Sequence, residues 1–340
     1  MSTADDIHAY AVSKLLKERF DCSSVILDVS NYPTHGFVQT RIGNTSSASF
    51  ANVFDFNLDS INTIWWRRPS RIEIDSEIVE PRLRRFTLNE WWTTIEGMLF
   101  ASKGRFVNER GAESRAAHKI LQLQVAQSCG FRVPDTLVTN DPQAVLAFRS
   151  IHRDNIIFKP QTDAKYHMAE TRPLDELSLA KLELVKLSPV IFQERIPAIY
   201  DLRVNIAGES VLCTKIDSQQ SSSKLDWRLD LAVPMEPVEV SSEFRQKCRL
   251  FMCKMGLEMG ALDFRVTPER DEVFLEVNPA GQFLFCEANE KLEVTEAVCR
   301  VLSGPAQTDA SEFRTSGSIL IPRSTQASGQ LSTAQALTSV

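Results

Sequence analysis

The chain has 340 residues, 43% apolar and 24% charged, with a formal net charge of −6; at roughly 100–200 residues per domain this is material for two or three domains with sizeable cores. A mildly acidic chain without a basic stripe excludes a protein that holds nucleic acid by its phosphates, and no stretch approaches the ~18 consecutive apolar residues of a membrane-spanning helix. The opening MSTADDIHAY has acidic residues and no apolar stretch of the kind a secretory signal needs, and seven scattered cysteines without CxxC or Cys/His clustering read as reduced, mostly buried thiols in a cytoplasm.

SSVILDVS (23–30) and NTIWWRRP (62–69) are β-branched or aromatic runs ending in turn formers, which predicts two strands. Between Glu77 and Lys103 apolar residues recur near helical spacing (Leu83, Phe86, Leu88, Ile95, Met98, Leu99), with Trp91 and Trp92 as packing residues. SRAAHKILQLQVAQSCG predicts one helix from Ser114, with Ala117, Leu121 and Val125 four apart and Gly130 as its stop. FRVPDTLVTND, NIIFKPQ (155–161) and VIFQERI (190–196) read as further short strands. In DLRVNIAGESVLCTKID, Leu202, Val204 and Ile206 alternate with Asp201, Arg203 and Asn205, and Gly208-Glu209 supplies a hairpin turn. One face of that strand is core; the other is polar and suited to holding phosphates. EFRQKCRLFMCKMGL is helical in pattern, GALDFRVTPERDEVFLEVNPAG reads as a second hairpin, and EVTEAVCRVLSG closes with a helix. Beyond Gly304 the chain is rich in Ser, Thr, Ala, Gln and Gly, and a disordered tail is expected.

The second hairpin carries the sharpest signal. With Pro268–Asp271 as a four-residue connection, Thr267 faces Glu272 and Asp263 faces Glu276. Cross-strand partners have Cβ atoms ~4.5–5.5 Å apart, close enough for both carboxylates to reach one cation. Asn278, two residues beyond Glu276, shares its face, and Val273, Leu275 and Val277 take the other. Hard oxygen donors of this kind suit Mg²⁺; a solvated polar face is the alternative. Lys119 lies on the predicted helix after Ser114, and Lys159 lies in an otherwise apolar strand, where its ammonium must be paired or solvated. Arg203 and Arg228 have the guanidinium forks that match phosphoryl oxygens. Taken singly, each lysine reads as ordinary and each arginine as half of a salt bridge. The absence of GxxxxGK[ST] and GxGxxG removes P-loop and Rossmann readings.

In this order, WWRRP (65–69), the stretch 108–142, FKP (158–160), QERIP (193–197), DLRV (201–204), DWR (226–228), GALDF (260–264) and FLEVNPAGQF (274–283) resemble the ATP-grasp superfamily, and most of all its microviridin-type (graspetide) macrocyclases. The resemblance covers about residues 20–302. It implies an α/β (α+β) fold: an N-terminal pre-ATP-grasp domain over 1–112 and ATP-grasp subdomains over 113–188 and 189–304, nucleotide bound between them, then the tail 305–340. It implies that Lys119 and Lys159 contact nucleotide phosphates, Gln193, Glu194, Arg195 and Ile196 form the hinge that reads adenine, and Asp201 holds the ribose. Arg203 and Arg228 would neutralise the transferred phosphoryl group, and Asp263, Glu276 and Asn278 would bind two Mg²⁺ ions. The loop PQTDAKYHMAETR departs from the pattern, since it lacks the glycines of many ATP-grasp lids; its His167 reads as exposed.

The implied activity is an ATP-dependent carboxylate ligase acting on a ribosomally made precursor peptide, recruited by a leader segment along the 206–232 hairpin region. Asp or Glu side chains become acyl phosphates and close into ester or amide macrocycles. Rival readings are a ligase that adds an amino acid to a peptide or protein carboxylate, and a catalytically silent binding module. A homodimer is expected because related enzymes commonly are. Arg67 and Arg68 either meet an acidic substrate or acyl phosphate, or make salt bridges within the N-terminal domain.

Overall fold

The computed structural model describes residues 1–30, 32–42, 47–51, 58–162, 171–230, 232–287 and 293–304; the expected tail (305–340) and His167 lie outside the described residues. Residues 1–306 form one compact unit. Its centre is an antiparallel five-stranded sheet in the order Met235–Pro237, Ser210–Ile216, Tyr200–Ala207, Met259–Val266, Glu272–Asn278. Along the middle strand the predicted alternation holds: Leu202, Val204 and Ile206 enter the main core with Phe244, Phe251 and Met252 of the helix Ser242–Met255. The opposite face is not solvated. Asp201, Arg203 and Asn205 are only 5%, 6% and 4% exposed, so each needs a partner inside the protein. The turn after this strand uses Gly208-Glu209, with Ala207 opposite Ser210 and Gly208 at φ 55°, a conformation that glycine adopts without a Cβ penalty.

The second hairpin departs from its expected register twice. Its connection has five residues, Thr267–Asp271, because Arg270 takes φ 72° and the Thr267 N–H donates to Asp271 O at 3.0 Å. Val266, not Thr267, therefore faces Glu272. A one-residue slip would turn a strand's two faces over. A bulge at Leu275 removes the slip: Phe264 pairs with Phe274, yet Asp263 pairs with Glu276. Phe264 and Phe274 are fully buried with their rings 5.6 Å apart, and Val277 joins the same core. Leu275, expected opposite the site, lines the site cavity instead, because the bulge re-aims it.

Two further expectations are corrected. The helix expected from Ser114 is two helices, Arg110–Ala116 and Lys119–Ser128, since His118 is extended (φ −92°, ψ 104°) and places Lys119 at the start of a new helix. Residues 23–30 form no strand: Leu27 and Val29 are buried, but no neighbouring strand pairs along them. Within NTIWWRRP, Thr63–Trp65 pairs parallel with Arg105–Val107, and Trp66, Trp91 and Trp92 pack in one cluster with the helix Pro81–Ala101. A smaller sheet, in the order Thr136–Thr139, Val190–Glu194, Ile156–Lys159, Arg172–Pro173, packs on the helix Pro142–Ile151. The helix Ile7–Arg19, which the pattern did not reveal, packs Val12 and Leu16 on the helix Val294–Ser303. Among the described residues no helix is long and apolar enough to cross a membrane, and all seven cysteines are free, five of them buried.

Phe264 anchors the hairpin in the main core, where Phe131, Phe244 and Phe274 surround it. Phe264→Ala should cost about 3–5 kcal/mol of unfolding free energy, read as a lowered denaturant midpoint at unchanged slope.

Candidate functional site

Asp263 and Glu276 stand opposite one another on adjacent strands and line a cavity of about 90 Å³ together with Lys119, Lys159, Asp201 and Arg228. Arg203 faces Asp263 from the middle strand. Its Nη1 donates to both carboxylate oxygens at 2.9 and 2.7 Å, and its Nη2 donates to Gln282 O at 2.9 Å. The Lys119 Nζ donates to Glu276 Oε2 at 2.6 Å. What brings Lys119 there is Gln122, 1% exposed: its amide donates to Val277 O at 3.1 Å and accepts from Val277 N at 3.0 Å, fastening the helix to the strand that carries Glu276. Nothing in the sequence pattern marked Gln122.

The two carboxyls differ in character. Burial pushes Glu276 upward, but Lys119 and Lys159 outweigh it and hold it down at about 2. At Asp263 burial wins over the Arg203 pairing and raises it, with Glu276 adding repulsion. Burial likewise lowers Lys159, against the attraction of Glu276. Arg228 forks onto Asp226 at 2.7 and 2.6 Å, from a loop whose Ser221 and Ser222 close onto Asp230.

Other sequence-predicted residues stand further out. Asn278 keeps the face of Glu276, its Oδ1 accepting from the Ala280 N–H at 3.0 Å. Gln193 and Glu194 end a strand of the small sheet, Arg195 and Ile196 follow it, and none of the four is among the residues lining the cavity. The Gln193 amide donates to Thr136 Oγ1 at 2.9 Å, and Ile196 O accepts from Arg265 Nη1 at 3.4 Å. Arg265 was missed, although it follows Asp263 by two residues and so shares its face. Its Nε donates to Asp201 Oδ1 at 2.9 Å and its Nη2 to Lys224 O at 2.5 Å, which joins the hinge, Asp201 and the Asp226–Arg228 loop through one side chain.

Arg67 is 4% exposed and takes the internal pairing: its Nε donates to Asp6 Oδ2 at 2.7 Å. Its Nη1 reaches Gly281 O at 3.3 Å and Ala280 O at 3.4 Å, and Arg68 Nη2 reaches Ala280 O at 3.3 Å. Beside Arg67, His8 Nε2 accepts from the Phe283 and Leu284 N–H groups at 3.1 and 3.3 Å. Burial, with Arg67 adding to it, lowers His8 to about 4. The imidazole is therefore neutral and free to accept at Nε2.

The donor set fits a hard cation held against phosphates. Two carboxylates and an amide oxygen come from one hairpin, with Lys119, Lys159, Arg203 and Arg228 about them, and among the described residues the buried Arg203 Nε–H has no hydrogen-bond partner. Among the described residues no group of three or more His, Cys, Asp or Glu forms; beside the two carboxylates the hairpin offers the Asn278 amide oxygen, which is not among the residues lining the cavity.

No family model and no curated protein matches the chain. Solved structures do. The macrocyclase MdnC from Microcystis aeruginosa MRC, bound with precursor peptide MdnA, is 27% identical with a TM-score of 0.80, over 89% of this chain and 97% of that one. A Chryseobacterium gregarium RiPP-associated ATP-grasp ligase, in complex with ADP and a leader and core peptide, is 24% identical with a TM-score of 0.80 over 88% and 94%. The ATP-grasp ligase PsnB, complexed with a phosphomimetic variant of minimal precursor, Mg and ADP, is 22% identical with a TM-score of 0.68 over 88% and 95%. The chain has the ATP-grasp fold in the form these ligases share.

A Cβ on Gly281 would come within 2.7 Å of Ala261 Cβ and 2.8 Å of Arg203 Nη2. Gly281→Ala should therefore displace Arg203 and lower kcat by about a hundredfold, as misplacement near 1 Å does, and the contact with Ala261 should lower the unfolding free energy by about 1–3 kcal/mol. For His8 the neutral form is favoured on folding, so its stabilisation is complete above its ordinary pKa of 6.5 and is lost as pH falls towards 4. Melts between pH 7 and 5 should show this loss, and His8→Leu should flatten it.

Proposed function

We propose that this ATP-grasp ligase acts on a ribosomally made precursor peptide, activating Asp or Glu side chains with ATP and closing them into ester or amide macrocycles. The observation that carries the reading is the facing pair Asp263 and Glu276 among four cationic side chains. Asp263, Glu276 and Asn278 would hold two Mg²⁺ ions, which when bound neutralise charge on the phosphate oxygens and orient them. Lys119 and Lys159 would bind the nucleotide's phosphates. Gln193 to Ile196 would read the adenine, and Asp201, oriented by Arg265, the ribose.

The γ-phosphoryl group passes to a peptide carboxylate, with ADP leaving. Arg203 and Arg228 take up the charge that develops on the phosphoryl oxygens and then on the acyl phosphate; Arg203 has its Nε–H unspent for this. A Ser/Thr hydroxyl or Lys amine of the same peptide attacks the acyl carbon, the acyl C–O bond breaks as the ester or amide forms, and inorganic phosphate leaves with that electron pair while the nucleophile's proton passes to phosphate or water. Leader recognition falls to the 206–232 region, where the hairpin and the loop bearing Asp226 and Arg228 meet.

With a cognate precursor, ATP and Mg²⁺, ADP should appear together with a peptide mass loss of one water per bond. Asp263→Asn should reduce turnover by more than the ~10–100-fold typical of groups that merely support a metal ligand. A peptide that gains an amino-acid residue would favour the ligation chemistry instead, and ADP release without any change in peptide mass would overturn both.

A further inference from the structure

WWRRP remains outside the mechanism above, and its first arginine has an unusual position. Arg67 is buried between Trp65 and Phe283, with its guanidinium carbon 5.2 and 5.7 Å from the two ring centroids. An isolated buried guanidinium is costly, and this one is paired by residues far apart in the chain through its Nε and Nη1. Asp6, which starts the helix Ile7–Arg19, takes its Nε, and the carbonyls of Ala280 and Gly281 take its Nη1. Asp6 is itself held by Ser2 Oγ at 2.5 Å and by the His8 N–H at 3.1 Å. His8 then receives the N–H groups of Phe283 and Leu284.

Through Arg67 Nη1 and His8 Nε2 the cluster reaches residues 280–284, the segment one residue beyond Asn278. That segment does two things for the site. The Ala280 N–H fixes the Asn278 side-chain oxygen, and Gln282 O fixes the second nitrogen of Arg203. Gly281 packs against Ala261 and Arg203 with no room for a side chain. From this convergence we infer that Arg67, with Asp6 and His8, is a positioning device that sets the height of the 280–284 segment and thereby the placement of Asn278 and Arg203 toward metal and phosphate. The device touches neither ligand. The inference rests on the metal and nucleotide assignment made above. It also assigns Ser2, Asp6 and His8 to the support of the site.

The test is Mn²⁺ binding to the full chain in the presence of ADP, followed by electron paramagnetic resonance or calorimetry, on wild type, Arg67→Lys and His8→Leu. Arg67→Lys keeps the charge beside Asp6 but loses the Nη1–H group that reaches the Ala280 and Gly281 carbonyls. His8→Leu leaves the ion pair and removes the acceptor for Phe283 and Leu284. Both variants should keep the wild-type circular dichroism and bind the precursor peptide unchanged. Arg67→Lys should weaken Mn²⁺ binding about tenfold, the low end for partners that orient metal ligands, and raise the Mg²⁺ needed for half-maximal turnover in proportion. His8→Leu should shift both in the same direction by a smaller factor. A folded variant with wild-type Mn²⁺ affinity overturns the inference, and so does unfolding of both variants, which would make the cluster a fold element only. Absence of Mn²⁺ binding to wild type with ADP would instead sink the underlying assignment.

Discussion

The site is organised by a row of charges that crosses three strands and ends on a helix. Arg203, Asp263 and Glu276 are in register on neighbouring strands, and Lys119 closes the row from the helix that packs beside the last strand. The order is plus, minus, minus, plus. Two carboxylates directly opposed across a ladder repel, and burying them raises the cost, so the inner pair is sustained by its outer neighbours. In the proposed function such a row would give a divalent cation a place between the carboxylates, with cationic groups on either side for phosphate oxygens.

The rest of the fold serves that row. Gln122 holds the helix at the distance from which Lys119 reaches Glu276. The core side of the same sheet, through Phe264, Phe274 and Val277, fixes the strands that hold the carboxylates. Arg265 extends the polar face along Asp201 to Lys224, so the loop with Asp226 and Arg228 is referenced to the same strand as Asp263. Because Asp201, Arg203, Asn205 and Arg265 are all nearly buried, the polar face is a second interior, with side-chain partners in place of apolar contacts.

The sequence disclosed this arrangement unevenly. Alternation in DLRVNIA and in ALDFRV is strict, and period two converts directly into faces, so the polar row was legible in Arg203, Asp263 and Glu276. The pairing of Asp263 with Glu276 came out through two local departures that cancel, the longer turn at Thr267–Asp271 and the bulge at Leu275; neither has a composition signature, since the turn depends on Arg270 adopting a positive φ. Leu275 shows the cost of the missing bulge, because an apolar residue one place off period lands in the cavity. The break before Lys119 was hidden by a continuous helix-forming run, and His118 interrupts it through backbone angle alone. The first helix is weakly amphipathic, and its partners lie almost 300 residues away, at Val298 and Cys299, a separation no local pattern spans.

The two ends of the charged row are unequal, and the inequality matters for phosphoryl transfer. Arg203 is nearly buried and spends its planar fork on Asp263 and Gln282 O, while Gly281 leaves no slack against it. Among the described residues Lys119 pairs with Glu276 from a partly open position, its side chain 20% exposed. A guanidinium fork fixes geometry, whereas an ammonium on a flexible stem is a point charge that can be shared between acceptors. Asp263 with Arg203 thus forms the fixed wall, and Glu276 with Lys119 the adjustable one. In the proposed reaction a phosphate chain entering the site would be met by Lys119 without disturbing the Asp263–Arg203 wall. Preorganisation on one side and compliance on the other is what differential stabilisation of a moving charge requires, and here it follows from which cation faces which carboxylate.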